Sequence, residues 1–252
     1  MTDAPGGEAA SVESVHCRSD RHGWVPDQLG GDSACLVIAT DGVWMERDPD
    51  AAPVTVDALT VSYRSVHSEL WVQHTDNHHD NLEIIRLRRN ADLPGVLTSA
   101  RHATARVSMD CILAHADLIA ARSRAMPASA IEMRLARLVE LMVRDLAVGL
   151  QTPVDVLPSH RHLAERVRFS GAAAASRSHT SRVFKTATGM TLSHYRQRSR
   201  LVAAIRRIAS GDGTFASIAT ETGFADHAHL TRSLAQATGS SPKALRARFR
   251  EI

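Results

Sequence analysis

Arginine, histidine and hydroxyl side chains recur near the end of the chain at an interval of 50 residues. Residues 175–200 (the first repeat) and 225–250 (the second repeat) align without a gap, with 9 identities in 26 pairs, including His179 with His229 and Arg182 with Arg232. Guanidinium groups can bond guanine O6 and N7 together, and imidazole and hydroxyl groups can bond single base atoms. The same groups also bind phosphate oxygens. A duplicated unit of this kind predicts a polyanionic partner.

Charge is distributed unevenly along the 252 residues. Residues 151–252 carry 16 Lys and Arg against 6 Asp and Glu, a net charge of +10, whereas residues 1–150 have a net charge of −7. Cations placed near phosphates release condensed counterions, so the basic half favours nucleic acid as a partner. An ordinary solvated basic surface is the alternative on charge alone.

Helix-capping residues frame both repeats. Ser176 and Asp226 can accept hydrogen bonds from the first turn of a helix, and Gly189 and Gly239 can end the same helices in a left-handed conformation. The pattern therefore predicts one short helix in each repeat.

The second repeat has a further helix before it. The sequence predicts this helix over 215–222, capped by Thr214, and a turn at Gly223-Phe-Ala225. A helix, a short glycine turn and a second capped helix make the helix-turn-helix pattern. A long helix over 193–210, with apolar residues on one face, is expected to join the two repeats.

Residues 176–248 resemble the AraC/XylS family of transcription regulators. The matching series is Ile218-Ala219, Gly223-Phe224, His-Leu-Thr-Arg232 and Gly239-Ser-Ser-Pro242, in the order and spacing of the family. The resemblance implies recognition helices over 176–186 and 226–237 that enter successive major grooves of double-stranded promoter DNA. It implies that base edges are contacted by Arg177, Ser178, His179, Ser181, Arg182, His227, Ala228, His229, Thr231 and Arg232.

Other roles are open for these residues. Each can contact phosphate instead, and Arg182 and Arg232 can form salt bridges inside the domain. His179 and His229 are expected to be hydrogen-bonding surface residues, not metal ligands. The first repeat departs from the family because Gly171-Ala-Ala-Ala-Ala175 stands where a glycine turn is usual, which weakens the expectation of base contacts there. Core positions are predicted for Phe224, Leu230 and Leu234.

The N-terminal part predicts a β-rich domain over 13–95. Apolar runs and alternation predict strands over 34–39, 43–47, 54–63 with a phase shift after Leu59, 70–72 and 82–87. Asp41-Gly42 between two apolar runs predicts a hairpin. Residues 1–12 are small and polar and are predicted to be disordered. The expected fold class is thus α+β, with an all-α C-terminal domain over 151–252. The resemblance to the AraC/XylS family implies that the β-rich domain is a sensor, a domain that is often cupin-like in that family.

Residues 96–150 are predicted to be a helical linker or dimerisation segment, interrupted at Pro127. Apolar residues recur at helical spacing in its second half: Ile131, Leu135, Leu138, Met142, Leu146 and Leu150. This stripe is interpreted as ordinary core, with a dimer seam as the alternative.

A histidine-rich segment raises the question of a metal. His74, His78 and His79 lie with Asp76 and Asp80, and such tracts can bind Zn or Ni. A polar loop between two strands is the favoured interpretation, so neither metal nor cofactor is expected.

Further absences bound the function. The three cysteines are scattered, no apolar run reaches the roughly 18 residues of a membrane span, and the N-terminus does not look like a secretory signal. These observations predict a cytoplasmic location without a membrane partner. No catalytic motif is found, so an enzyme is not expected.

The hypothesis is a transcription regulator whose partners include promoter DNA, a small-molecule effector, a second copy of the chain and, for an activator, RNA polymerase. A ligand-independent architectural DNA-binding protein and a metal-responsive regulator remain as alternatives.

Overall fold

The computed structural model describes residues 10–18, 23–27, 32–51, 53–66, 68–74, 79–88, 93–151, 184–185 and 190–251. Contacts divide the chain into two units. The helical unit comprises Met1–Ala10, Val107–Met142 and Gln197–Ile252, and the β unit comprises Ser11–Arg106 and Val143–Arg196.

The β unit contains two antiparallel sheets. The five-stranded sheet has the order β1-β8-β3-β6-β9, with strands β1 Ala10–Arg18, β3 Cys35–Asp41, β6 Thr60–Arg64, β8 His79–Leu87 and β9 His102–Arg106. The four-stranded sheet has the order β2-β7-β4-β5, with strands β2 Val25–Pro26, β4 Val43–Arg47, β5 Val54–Asp57 and β7 Trp71–His74. A short helix, α1 (Gly95–Thr98), precedes β9.

Apolar side chains from both sheets form one core. Its buried members are Cys35, Val37, Ala39, Trp44, Val56, Val72, Leu82 and Ile84. The alternate residues of the central strand β3, Leu36 and Ile38, are also fully buried. Strand β3 is therefore covered on both faces, which explains why its sequence is continuously apolar and does not alternate.

The hairpin predicted at Asp41-Gly42 is wrong. Strand β3 pairs with β6 and β8, whereas β4 pairs with β5 and β7, so the chain changes sheet at Gly42. The glycine is still required because its φ is +97°. A Cβ there would also lie 1.9 Å from Asp80 Oδ1, the oxygen that accepts the Val43 N–H at 3.0 Å. Asp80, from a distant strand, thus stabilises the turn.

Two further expectations about local structure are corrected. Residues 10–12, predicted to be disordered, lie in β1. Residues 102–106, predicted to be helical, form β9, which pairs with β6. The small alanine side chains of β9 allow Gly149 of α3 to pack closely, since a Cβ added to Gly149 would lie only 2.7 Å from the Ala105 Cβ. The alternating segment 54–63 is two strands joined by the turn that its phase shift marks.

Six helices follow β9 in the part of the chain that the structure describes: α2 Met109–Ser123, α3 Ala128–Gln151, α4 Leu192–Ser210, α5 Phe215–Glu221, α6 His227–Thr238 and α7 Pro242–Arg250. The predicted break at Pro127 and the predicted long helix at 193–210 are confirmed. None of the helices in the described ranges has the length and apolar character to cross a membrane.

The apolar stripe of α3 is buried within the chain. Leu138, Met142 and Leu146 are fully buried, and Leu135 is nearly so. The core interpretation is confirmed for these residues, and their burial leaves no surface for a dimer seam along them. The exposed large apolar residues of α3 are Met133 and Val148, which lie outside the apolar stripe.

Candidate DNA-binding surface

Local capping defines the second helix-turn-helix as predicted. The Thr214 hydroxyl accepts the Ser217 N–H at 3.1 Å and starts α5, and the Asp226 carboxylate accepts the His229 N–H at 2.6 Å and starts α6. Gly239 ends α6 in the left-handed region with φ +72°. The turn between the helices uses Gly223 at φ +80°. Each end of α6 is therefore set by residues next to it in the sequence.

Apolar residues hold α5, α6 and α7 together. Ile218 from α5, Leu230 and Leu234 from α6, and Leu245 from α7 are fully buried. Phe224 in the turn is nearly so, and its N–H donates to the Ala219 carbonyl at 2.8 Å. The core roles predicted for Phe224, Leu230 and Leu234 are confirmed. This packing leaves the opposite face of α6 to the solvent.

Three of the predicted contact residues in the second repeat lie on that exposed face: His227, Ala228 and Arg232. Arg232 has no ion-pair partner among the described residues, so the alternative of an internal salt bridge finds no support there. Its planar guanidinium is therefore available for an external acceptor.

His229 and Thr231 are half-buried and bonded within the repeat. His229 Nδ1 accepts the Ala225 N–H at 3.4 Å, and the ring lies edge-on to Phe224 with centroids 5.3 Å apart. The Thr231 hydroxyl donates to the His227 carbonyl at 2.9 Å. These bonds stabilise the turn and the helix, as the expectation of a hydrogen-bonding His229 implied.

Sequence reasoning did not single out Gln236, which is exposed on the same face of α6. It lies four residues after Arg232, which in turn lies four residues after Ala228, so the three side chains form one row. The four-residue interval from Arg232 could have identified Gln236 from the sequence alone. Exposed basic residues of α7 add positive charge to this part of the helical unit: Lys243, Arg248 and Arg250.

Half of the first repeat, residues 175–183 and 186–189, lies outside the described residues. This applies to its predicted DNA contacts Arg177, Ser178, His179, Ser181 and Arg182, which stay predictions, and to the alanine turn before them.

The described part of the first repeat matches the second. Thr191 accepts the His194 N–H at 3.2 Å at the start of α4, and Ser241, 50 residues later, accepts the Ala244 N–H at 3.2 Å at the start of α7. Phe184 is buried, as is its counterpart Leu234. The duplication deduced from sequence identity is therefore also a duplication of caps and core positions.

Tyr195 links the start of α4 to the sheets within the β unit. Its hydroxyl donates to Asp57 Oδ2 at 2.6 Å, and its ring meets Phe184 edge-on at 5.1 Å. Arg106 also donates to both oxygens of Asp57, at 3.2 and 3.3 Å. Burial alone would raise the pKa of Asp57, but Arg106 and the Tyr195 hydrogen bond lower it below its ordinary value.

A buried charge cluster lies between the sheets, and sequence reasoning missed it. Glu46 accepts hydrogen bonds from Trp44 Nε1 at 2.7 Å, from Ser62 Oγ at 2.6 Å and from Arg64, and lies 2.9 Å from His102 Nε2. Arg64 also donates to Asp27 at 2.5 Å. Burial would raise the pKa of Glu46, but Arg64 and His102 lower it well below its usual range. No local pattern reveals this cluster, because its members come from different strands.

The histidine-rich segment offers no metal site in the part of the chain that is described. His74 Nδ1 lies 2.6 Å from the buried Asp80, whose other oxygen bonds the turn at Gly42. No group of three potential ligands is assembled among the described residues. His78 and Asp76 lie outside them, and the side chain of His79 is not described.

Comparison with known proteins supports the interpretation of the C-terminal region. Residues 169–248 match a family model described as a helix-turn-helix domain. This range includes the second helix-turn-helix and the whole of the first repeat. Residues 169–248 accordingly form a helix-turn-helix domain, a type of domain that binds double-stranded DNA.

Similarity to solved structures is more distant. Apo ToxT from Vibrio cholerae has 9% identity and a TM-score of 0.42, over 96% of this chain and 98% of that chain. ToxT bound to an unsaturated fatty acid has 9% identity and a TM-score of 0.40, over 96% and 97%. The AraC-like transcriptional activator CuxR has 14% identity and a TM-score of 0.37, over 86% and 65%. These identities and TM-scores are too low to assign a function to this chain. No curated protein sequence matches the chain.

Proposed function

We propose that the protein binds promoter DNA sequence-specifically through two recognition helices in successive major grooves. The observation that carries the proposal is the exposed face of α6, where Arg232 lies near His227 and Ala228 and has no ion-pair partner among the residues that the structure describes. In helix-turn-helix proteins the N-terminal half of the second helix contacts base edges. Arg177, Ser178, His179, Ser181 and Arg182 would serve the first groove.

The first experiment is selection of bound sequences from random DNA duplexes with the full-length protein. Two half-sites about ten base pairs apart are expected, because one turn of DNA separates successive major grooves on one face. A single short motif would contradict base contacts by the first repeat. Binding that depends steeply on salt and ignores sequence would contradict the proposal and favour an architectural protein.

We further propose that the β unit senses a small-molecule effector, mediates dimerisation, or does both. The support is the hydrogen bond from the Tyr195 hydroxyl, at the start of α4, to Asp57 in β5. Through this bond a change in the sheets of the β unit could affect the first repeat. Light scattering measures the molecular mass and so tests for a dimer. DNA affinity measured with and without each of a set of metabolites tests for an effector. A monomer whose DNA affinity responds to no compound would contradict both roles. Addition of Zn²⁺ or Ni²⁺ to the same assay tests the metal-responsive alternative.

A further inference from the structure

Three aromatic and cationic groups meet at the start of α6. The ring of His227, the first residue of α6, lies nearly parallel to that of Phe215, the first residue of α5, at 11° with centroids 5.8 Å apart. The guanidinium carbon of Arg246, on α7, lies 4.1 Å from the centroid of the same phenyl ring. Helices α5, α6 and α7 thus each contribute one group to this stack.

Arg246 is held in place from its other side. Its Nη2 donates to the Gly213 carbonyl at 3.1 Å, just before α5. Its Nε is buried and has no hydrogen-bond partner among the described residues. The guanidinium group therefore packs against the phenyl ring and is only partly in contact with water. A cation over an aromatic face is attracted by the negative charge of that face.

We propose that Arg246 and Phe215 are positioning residues that hold the imidazole of His227 in one orientation for a specific base contact. The proposal rests on the proposed entry of α6 into the major groove. His227 is exposed at the first helical position, where a free side chain would adopt several rotamers. A side chain already ordered before binding loses less entropy on contact with DNA, and it presents its ring nitrogens in a fixed direction.

The stack combines His227 and Arg246 of the second repeat with Phe215 of the helix before it. At the interval of 50 residues, Arg246 corresponds to Arg196, but Phe215 corresponds to Glu165 and His227 to Arg177. The sequence therefore keeps the arginine and replaces both aromatic groups. The two repeats would present different first residues to DNA, which allows one protein to prefer different bases in its two half-sites.

The test is sequence selection with the full-length protein and five variants, each first checked by circular dichroism for native helix content. His227→Ala identifies the base position that depends on His227. At that position R246Q and F215L should lower the base preference at least threefold, while the position that depends on Arg232 keeps its preference. R246K, which retains the cation, should restore most of it. R248Q removes a charge from the same helix without touching Phe215 and should weaken all sequences alike.

The outcomes distinguish a failure of the proposed function from a failure of the positioning role alone. If the wild-type protein selects no motif, the proposed function fails and the positioning role fails with it. If a motif appears but R246Q leaves the His227-dependent position unchanged, or lowers every position equally, the positioning role alone is overturned. NMR gives an independent check: the imidazole protons of His227 should show a ring-current shift that F215L removes, and an unchanged shift would overturn the stack.

Discussion

Arg64 in the β unit and Arg232 on α6 place the same guanidinium group in opposite surroundings. The side chain of Arg64 is only 2% exposed and bonds to both Asp27 and Glu46. Arg232 is exposed and has no ion-pair partner in the described part of the chain. A buried charge must be compensated inside the fold, whereas an exposed and unpaired charge is available to an external anion. The contrast indicates which arginine serves stability and which serves binding.

The largest effect on stability is expected for Arg64→Ala. It leaves the carboxylates of Glu46 and Asp27 buried without their cation, which should lower the free energy of unfolding by about 3–5 kcal/mol. Urea denaturation followed by circular dichroism measures this change. Arg232→Ala is the matched control and should stay within about 0.5 kcal/mol of wild type. Equal losses in the two variants would refute the contrast.

A smaller loss of stability is expected for Tyr195→Phe. The variant removes one hydrogen bond to the buried Asp57 carboxylate and keeps the ring that contacts Phe184, so a loss of about 1.5–3 kcal/mol is expected. The same denaturation experiment measures it. In Tyr195→Phe/Asp57→Asn the effect of the tyrosine change should shrink, because the charged acceptor is gone. An undiminished effect would show that the hydroxyl acts elsewhere.

Arg232→Ala should instead weaken specific DNA binding by about 1–3 kcal/mol and relax the preference at one base position. Fluorescence anisotropy at fixed salt, with a selected site and a random duplex, measures both affinities. Arg137→Ala removes an equal charge from a surface ion pair on α3 and should leave the ratio of the two affinities unchanged. Equal loss on specific and random DNA would identify Arg232 as a phosphate contact.

Moderate acidification should have the smallest effect and should act through the β unit. The pKa values of Glu46 and Asp57 are lowered in the folded protein, so both stabilise it above their unfolded pKa of about 4. Stability is lost progressively as pH falls below about 4, since the unfolded chain then takes up protons that the folded protein does not. Denaturation midpoints measured between pH 7 and pH 3 test this. Glu46→Gln should flatten the dependence, and an unchanged slope would contradict the assignment.

Local signals explain what could be predicted in the C-terminal region. Thr214, Asp226 and Gly239 act through bonds to residues within a few positions, so their roles can be deduced from spacing alone. The structure extends the repeat to two further helix starts, Leu192 and Pro242, which also lie 50 residues apart. The helix-turn-helix domain that the resemblance implied for residues 176–248 is confirmed by the family model that matches residues 169–248.

Local signals fail where the partner of a segment is distant. The Asp41-Gly42 turn was recognised correctly as a turn, but its two strands pair in different sheets. Residues 102–106 resemble a helix in composition and become a strand because β6 pairs with them and Gly149 packs close to Ala105. In both cases tertiary pairing overrides local preference.

The sequence by itself determined the charge of the C-terminal half and the elements of the second helix-turn-helix, because caps and apolar periodicity act over a few residues. Only the tertiary structure decided which predicted contact residues stay exposed on α6, since exposure depends on which face of α6 packs against α5 and α7. It also decided that Glu46 and Arg64 meet and that His227 lies against Phe215 beside Arg246. Such groups are distant in the chain, and only the packing of whole strands and helices brings them together.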